Sequence, residues 1–375
     1  MDFTFSEEQR LLRDSLANFL GDAYGFAKRR DALRTEAGWR PEIWRAFATD
    51  LGILGAALPE ALGGLGGGPV DTMVIMEELG RALAVEPYLD TVVIAAGLLK
   101  RFDTPAAKDA VERIIAGELI ATLAWGEPAG RFNPADVSAT ARRDGTGWRL
   151  DGRKAVVASA PWASQLLVTA RTSGGPRDAE GISLFLVDKV AAGVTTRDYP
   201  TVDGGRASEI AFDGVALGAE ALLGDEGGAL PIVEQVMDEA CAALCAEAIG
   251  VMSELHRQTI DYAKQRRQFG QAIGDFQVLQ HRMVDMFGQY EQSVSMAYMA
   301  TLKLDLPAAA RAKAVSAAKV YVGRACTFLG QSAVQIHGGI GLTDELPLSH
   351  YFKRAAMIES ALGSAEYHLR RYQGL

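Results

Sequence analysis

The sequence has few histidines and cysteines and no excess of positive charge. Its 375 residues include 5 histidines and 3 cysteines, without the spacing of a metal site or a disulfide framework. The net charge is −9 and no basic block is present, which argues against nucleic-acid binding as the main role. No charge-free apolar run could span a bilayer, and MDFTFSEEQR lacks a basic-then-apolar signal. We therefore expect no metal, no membrane span and a cytoplasmic location.

Apolar residues are abundant, at 49% of the chain, which is ample for a large core and argues against disorder. In the first part of the chain they recur at helical spacing, starting with a helix from about Ser6, the expected N-cap, to Leu20. This pattern predicts an all-helical N-terminal domain over residues 1–117. Further helices of that domain are predicted at about 41–51, 70–81, 88–101 and 105–116.

The pattern changes to short β-rich stretches, such as QLLVTAR and GISLFLV, separated by Asp-Gly and Gly-Pro turn signals. That spacing predicts a small antiparallel β-barrel domain over residues 118–224. Residues 225–375 return to helical spacing and predict a four-helix bundle, so the expected fold class is α+β and mostly α. The four helices are predicted at Ala229–Gln265, Phe276–Lys303, Pro307–His337 and Leu348–Tyr372.

The stretch YAKQRRQFGQAIGDFQVLQ, residues 262–280, joins cationic and amide donors, an aromatic ring and glycines at a helix end. The Arg266 guanidinium can grip phosphate in a fork, and Gly270 allows close approach to the backbone. Such a corner can hold the diphosphate and adenine of a large nucleotide, although solvated arginines at a plain helix corner are the simpler interpretation. A second segment, QIHGGIG from Gln335, ends another helix with an amide and three glycines.

Together these two segments resemble the C-terminal half of the acyl-CoA dehydrogenase family. The resemblance continues through FTFSEEQRLLRDSLANFL, LPEALGGLGGG and EELGRALAVEPYLDT, and so covers nearly the whole chain. It implies the helix–barrel–bundle architecture, FAD, an acyl-CoA substrate, an electron-transfer flavoprotein or similar acceptor, and an oligomer whose bundle segments serve a neighbouring subunit's FAD. The bundle residues that match the family's cofactor contacts are Arg266, Gln268, Phe269, Ile273, Phe276, Gln277, Gln335, Gly338 and Gly339.

In the barrel, the resemblance brings the flavin ring against the turn after the first strand and against the strand at 154–159. There the family's Trp-Ile-Thr is replaced by Val-Val-Ala at 156–158, which removes an aromatic lid and a hydroxyl. Ser159 either supplies a substitute hydroxyl or simply ends the strand. The barrel and C-terminal positions expected at the cofactor are Trp125, Gly126, Ala158, Ser159 and Ser364.

The family's reaction needs a base, and a carboxylate in an apolar pocket suits this task because desolvation raises its pKa. The resemblance puts the base at Leu362 or, in other members, at Ala240, and neither side chain can take a proton. Glu247 lies seven residues after Ala240, on the same helix face and in an otherwise uncharged run. We predict Glu247 as the base, with Glu239 and Glu359 as further candidates. A buried glutamate bonded to an arginine or a backbone donor is the structural alternative.

Three functions remain compatible with the sequence. The first is FAD-dependent α,β-dehydrogenation of an acyl-CoA, with a bulky or steroid-type acyl group. The second is a non-catalytic partner subunit in a heteromeric dehydrogenase, which Leu362 and the altered strand at 156–158 favour and which Glu247 and Arg266 oppose. The third is a flavin monooxygenase on the same fold, with which Leu362 is compatible.

Overall fold

The computed structural model describes residues 5–375, and the first four residues, which begin the predicted first domain and the FTFSEEQ segment, lie outside the described residues. The first helix starts at a capping box, in which Ser6 Oγ accepts the Gln9 N–H and the Gln9 side chain accepts the Ser6 N–H. The predicted N-cap is therefore confirmed. The helices of this part of the chain are α1 (Glu7–Ala23), α2 (Phe26–Leu33), α3 (Pro41–Thr49), α4 (Pro69–Ala82), α5 (Leu89–Ala96, a π-type helix continued by Gly97–Leu99) and α6 (Pro105–Ile115).

The middle of the chain forms one eight-stranded sheet. Its strands are β1 (Ala121–Ala124), β2 (Thr140–Asp144), β3 (Gly147–Ala158), β4 (Gln165–Arg171), β5 (Ile182–Asp188), β6 (Val194–Pro200), β7 (Arg206–Leu217) and β8 (Leu222–Leu223). The order is β6-β7-β3-β2-β4-β5-β8, with β1 beside β4. The β1–β4 and β2–β4 pairs are parallel, so the sheet is mixed rather than wholly antiparallel. Trp148 and Phe185 pack edge to face in its apolar core.

The C-terminal part begins with three long helices, α7 (Leu230–Gln265), α8 (Gln277–Leu302) and α9 (Ala308–His337), and a hairpin of β9 (Arg267–Gln268) and β10 (Gln271–Ala272) lies between α7 and α8. The fourth predicted helix, over Leu348–Tyr372, is wrong as one element. It is two helices, α10 (Pro347–Ser360) and α11 (Ala365–Gly374), both packed on α9. The helix breaks because Leu362 and Gly363 have φ of +56° and +114°, outside the right-handed helical region.

The chain divides into two compact units. One comprises the residues up to Asp31 with Pro69–Ala84 and Cys241–Leu375, and the other comprises Ala32–Gly68 and Val85–Ala240. The division into three domains, with boundaries after residues 117 and 224, stays a prediction. Among the described residues, no helix combines the length and the apolar character needed to cross a membrane.

Candidate functional site

The corner at residues 262–280 contains a strained hairpin, formed by β9 and β10. Its tip is Phe269-Gly270, where both residues have positive φ, +53° and +85°, as a two-residue type I′ turn requires. Phenylalanine rarely adopts this conformation, and backbone strain of this kind gathers at functional positions. The Phe269 side chain is 92% exposed, with its ring edge-on to Phe276 at 6.2 Å between centroids. The hairpin therefore presents an aromatic ring to solvent.

The polar groups of this corner are exposed beside that ring. The Arg266 N–H donates to Tyr262 O at 2.8 Å, at the end of α7. The Arg266 carbonyl accepts the Ile273 N–H, also at 2.8 Å, and this bond closes the hairpin. Its guanidinium is exposed and has no hydrogen bond or ion pair with residues 5–375. Gln268 is exposed as well, and its amide donates to Arg267 O at 2.7 Å. Ile273 is buried behind the hairpin, and Gln277 is exposed at the start of α8.

The second segment meets the first at the end of α9. The Tyr262 and His337 rings stack at 4.2 Å, and the Tyr262 hydroxyl donates to His337 O at 3.3 Å. Desolvation lowers the pKa of His337. Beyond it the glycine turn is open, because a Cβ added at Gly338 or Gly339 would meet no atom within 4 Å of the described residues. Gln335 is exposed on the last turn of α9. The structure thus brings the two predicted bundle segments together.

In the barrel, strand β3 carries a bulge where the family resemblance expects the flavin ring. The register with β7 shifts between Lys154 and Val157, and Val156 has φ of +52° with its side chain 62% exposed. A β-branched residue at positive φ is a conformational outlier. Ala158 is exposed, whereas Ser159 is buried with its hydroxyl donating to Asp90 at 2.5 Å. The Ser159 hydroxyl is thus already committed to a protein partner.

Sequence reasoning missed a buried ion pair beside this bulge. Lys154 is fully buried and its ammonium group donates to Glu127 Oε1 at 2.7 Å, to Thr169 Oγ1 at 3.1 Å and to Trp125 O at 3.3 Å. Desolvation lowers the pKa of Lys154 to about 8, against the opposing effect of Glu127. The available signal was the two-residue period of a strand, which puts Lys154 on the same face as Trp148 and Leu150. Only the fold shows its partner, 27 residues earlier. Asp90 was also missed, because nothing in the sequence links it to Ser159.

The three candidate base carboxylates are all engaged within their own units. Glu247 is buried, and its two oxygens accept from Arg354 Nε and Nη2 at 2.5 and 2.7 Å. Glu239 accepts from Arg101 Nη2 at 2.6 Å, and Glu359 accepts the Ala365 N–H at 3.0 Å. Arginines and a backbone N–H are the donors expected if such a glutamate has a structural rather than a catalytic role. A carboxylate held in a guanidinium fork must give up that bond to reach a substrate proton.

The break between α10 and α11 holds Leu362 in a fixed position. The Lys319 ammonium, fully buried, donates to the carbonyls of Ile358, Glu359 and Gly363 at 2.8–2.9 Å. His368 Nε2 lies 3.1 Å from Leu362 O, and desolvation lowers the pKa of His368 to about 3. Ser364 caps α11 by accepting the Tyr367 N–H. The expected base position is therefore a turn held by buried hydrogen bonds, with a side chain that cannot take a proton.

The two bundle segments fit the diphosphate and adenine of FAD. Arg266 and the Gln268 and Gln335 amides are exposed donors, and the backbone at Gly338-Gly339 leaves open space for a phosphate to approach. The exposed Phe269 ring offers a flat surface for an adenine. When bound, FAD supplies a two-electron acceptor for hydride.

Three family descriptions match almost the whole chain. Residues 6–118 match "Acyl-CoA dehydrogenase, N-terminal domain", residues 122–215 match "Acyl-CoA dehydrogenase, middle domain", and residues 227–373 match "Acyl-CoA dehydrogenase, C-terminal domain". The chain is also similar to acyl-CoA dehydrogenase IpdE2 of Mycolicibacterium smegmatis, with 30% identity over 368 residues that cover 98% of each chain.

Two solved structures have the same fold. The ChsE4-ChsE5 complex from Mycobacterium tuberculosis superposes with a TM-score of 0.90 and 28% identity, over 100% of this chain and 98% of that one. The FAD complex of PigA superposes with a TM-score of 0.91 and 26% identity, over 100% of this chain and 98% of that one. The first of these relatives is a complex of two differently named chains, and the second contains FAD.

Proposed function

The chain belongs to the acyl-CoA dehydrogenase family, whose members are FAD-dependent oxidoreductases, and from this premise we propose that it is one subunit of a heteromeric enzyme. That enzyme oxidises a CoA thioester between Cα and Cβ, with the proton of Cα taken by a base. Bound FAD would supply the acceptor for the hydride of Cβ. This proposal is carried by the observation that each of the three candidate base carboxylates already accepts hydrogen bonds, Glu247 and Glu239 from arginines and Glu359 from a backbone N–H.

The proton acceptor is then a carboxylate of the second subunit. Ala240 and Leu362 occupy the positions at which the resemblance expects the base, and Lys319 holds the turn that carries Leu362. In its own unit, Glu247 is tied to Arg354 on both oxygens. The ChsE4-ChsE5 relative supports such an arrangement, since it is a complex of two differently named chains.

A second candidate keeps the base in this chain, at Glu247. Its burial in an apolar part of α7 favours this, because such an environment suits a proton-abstracting carboxylate. In that case Arg354 orients the Glu247 carboxylate, and the ion pair between them breaks when the substrate binds.

Replacement Glu247→Gln separates the two candidates. If the base belongs to the partner, turnover of the assembled enzyme stays within about threefold of wild type, and the variant mainly lowers the unfolding temperature by weakening the Arg354 contact. If Glu247 is the base, turnover falls by about 10²–10⁴-fold in a protein that still binds FAD and acyl-CoA. Arg354→Met is the matched variant, since it breaks the same ion pair and leaves the carboxylate in place.

Two groups of residues are proposed to contact FAD. The bundle residues Arg266, Gln268, Phe269, Ile273, Phe276, Gln277, Gln335, Gly338 and Gly339 would hold the diphosphate and adenine of a cofactor bound by a neighbouring subunit. For the flavin ring we propose Trp125, Gly126, Ala158 and Ser159 of the barrel. Ser364, which belongs to neither group, is also proposed to contact FAD.

A bulky, steroid-type acyl group is the proposed substrate class. Leu362 at the expected base position supports this, because in lacking a base there the sequence resembles family members that handle bulky CoA thioesters. Electron-transfer flavoprotein or a similar protein is the proposed acceptor, and the cytoplasm is the proposed location.

The visible absorption spectrum of the purified chain tests the assignment. We expect little bound flavin in the chain alone, and a flavin band that bleaches anaerobically with a steroid-type acyl-CoA once a paralogous subunit is added. A chain that carries FAD and is bleached by acyl-CoA on its own would refute the two-subunit proposal and favour Glu247. A chain that takes up no FAD with any paralogous subunit would refute the proposed function itself.

A further inference from the structure

A buried ion pair joins three separate pieces of the barrel. The Lys154 side chain is 0% exposed and that of Glu127 is 5% exposed, with 2.7 Å between Nζ and Oε1. The other two ammonium protons go to Thr169 Oγ1 and Trp125 O. Lys154 lies on β3, Thr169 on β4, and Trp125 directly after β1. The lysine therefore ties the end of one strand to the middle of two others, and all of its donors are used.

The carboxylate of the pair closes the loop that follows β1. Glu127 Oε2 accepts the Ser138 N–H at 2.8 Å and Oε1 accepts the Ala139 N–H at 3.0 Å. The loop between residues 127 and 138 is thus held at both ends by one side chain. Because a carboxylate with several charge-assisted bonds is rigidly oriented, the pair fixes where this loop leaves and re-enters the sheet.

The same residues border the bulge on β3. The Ala155 N–H donates to Gly126 O at 2.8 Å, next to Lys154 and Glu127 in the sequence. The following residue is Val156, with its positive φ and exposed side chain. A conformation of this kind is strained and persists only when the surrounding structure imposes it. The buried ion pair and the Ala155–Gly126 bond hold the residues directly before Val156, whose own N–H donates to Glu209 Oε1 at 3.3 Å.

A buried ion pair is a poor source of stability, because desolvating both charges offsets most of their attraction and apolar replacements of similar size are often as stable. Its value here is therefore geometric. We propose that Lys154 and Glu127 are positioning residues for the flavin cofactor, which hold the Trp125-Gly126 turn and the Val156 bulge in the shape that the flavin ring contacts. This inference rests on the proposed function, since it requires that the barrel binds FAD.

The test compares three variants of the full chain in the oligomer that it forms. Lys154→Met removes the ammonium group, and the double variant Lys154→Met with Glu127→Gln also removes the charge that would be left buried. The single amide oxygen of Gln keeps an acceptor for one of the two N–H groups, of Ser138 or of Ala139, that the carboxylate binds. The double variant is the one expected to fold if the single variant does not. Arg149→Met is the matched control, because Arg149 lies on β3 like Lys154 and loses a half-exposed ion pair with Asp144 of β2.

Three quantities are measured on each protein: FAD affinity by flavin fluorescence, the visible spectrum of bound flavin, and amide hydrogen exchange at Ala155, Ser138 and Ala139. We expect the double variant to unfold within a few degrees of wild type, to exchange faster at Ala155, to shift the flavin band and to bind FAD at least about tenfold more weakly. Arg149→Met should leave all three quantities unchanged.

Two results would overturn the inference. Faster exchange at Ala155 with unchanged FAD affinity and spectrum would make the pair structural only, and unchanged exchange would show that it does not hold the bulge. A failure of the proposed function looks different, because the wild-type chain itself would then take up no FAD in any oligomer.

Discussion

At the scale of single residues, Glu247 shows how a tertiary contact changes the meaning of a charge. In the sequence it is an isolated carboxylate in an apolar helix, which is costly unless it is paired or functional. In the structure Arg354, 107 residues away, bonds both of its oxygens. The ion pair offsets the free-energy cost of burying the Glu247 carboxylate without any catalytic role. A buried carboxylate is therefore not enough to identify a base.

His368 leads to a prediction at the same scale. It lies against Leu362 O, Ser316 and Cys241, and the neighbouring Lys319 and Arg371 add to the desolvation that lowers its pKa from 6.5 to about 3. Between these pH values the unfolded chain binds a proton that the folded chain does not. The free energy of unfolding therefore falls as the pH drops from about 6.5 toward 3, by up to about 1.4 kcal/mol per pH unit.

Replacement His368→Gln removes this proton uptake, so we expect a flatter acid limb in urea unfolding measured between pH 7 and pH 4. His281→Gln is the control, because His281 is exposed and its variant should follow the wild-type curve. Parallel acid limbs for His368→Gln and wild type would contradict the assignment.

At the scale of elements, helices α4 and α7 cross at two glycines. A Cβ at Gly80 would lie 2.1 Å from Glu247 O, and one at Gly250 would lie 2.0 Å from Glu77 O. Backbone therefore meets backbone on both sides of the crossing, and no side chain fits between the helices. The Arg81 guanidinium, bonded to Ser253 Oγ at 2.6 Å, links the two helices beside this contact.

We expect Gly250→Ala to destabilise the chain by about 1–3 kcal/mol or more, because the methyl group forces the helices apart. Gly21→Ala is the matched control, since Gly21 is exposed in α1 and a Cβ there meets nothing within 4 Å. That replacement should be neutral or stabilise by up to about 1 kcal/mol through helix propensity. Thermal and urea unfolding measure both, and equal stabilities would contradict the close crossing.

The break between α10 and α11 is also an element-scale feature. Residues 348–372 have helical apolar spacing throughout, which explains the prediction of a single helix. Lys319, on another helix, donates hydrogen bonds to the carbonyls at the end of α10 and at Gly363. It therefore pairs carbonyl groups that the helix break would otherwise leave without a hydrogen bond. The sequence of the segment alone does not contain that donor.

At the scale of the whole molecule, we propose that the exposed corner at Arg266 serves a cofactor bound by a neighbouring subunit. We expect Arg266→Ala to reduce the flavin retained by the assembled oligomer, because the guanidinium is the strongest diphosphate donor of this corner. The neighbouring Arg267→Ala is the control, since the Arg267 guanidinium already contacts Gly270 O within the hairpin. Flavin per subunit is measured by absorbance after gel filtration. Equal flavin content in both variants would contradict the proposed contact between Arg266 and the FAD diphosphate.

The sequence by itself determined the order of helical, β-rich and helical regions, the N-cap at Ser6 and the two bundle segments. These follow from local periodicity, capping chemistry and glycine placement, which act over a few residues. It did not reveal strands β2 and β6, because their mostly exposed residues lack an apolar alternation. Only the tertiary structure decided the partners of Glu247, Lys154 and Lys319, since these partners lie 15 to 107 positions away in the chain. Buried charges take their roles from such distant partners, and local sequence does not encode them.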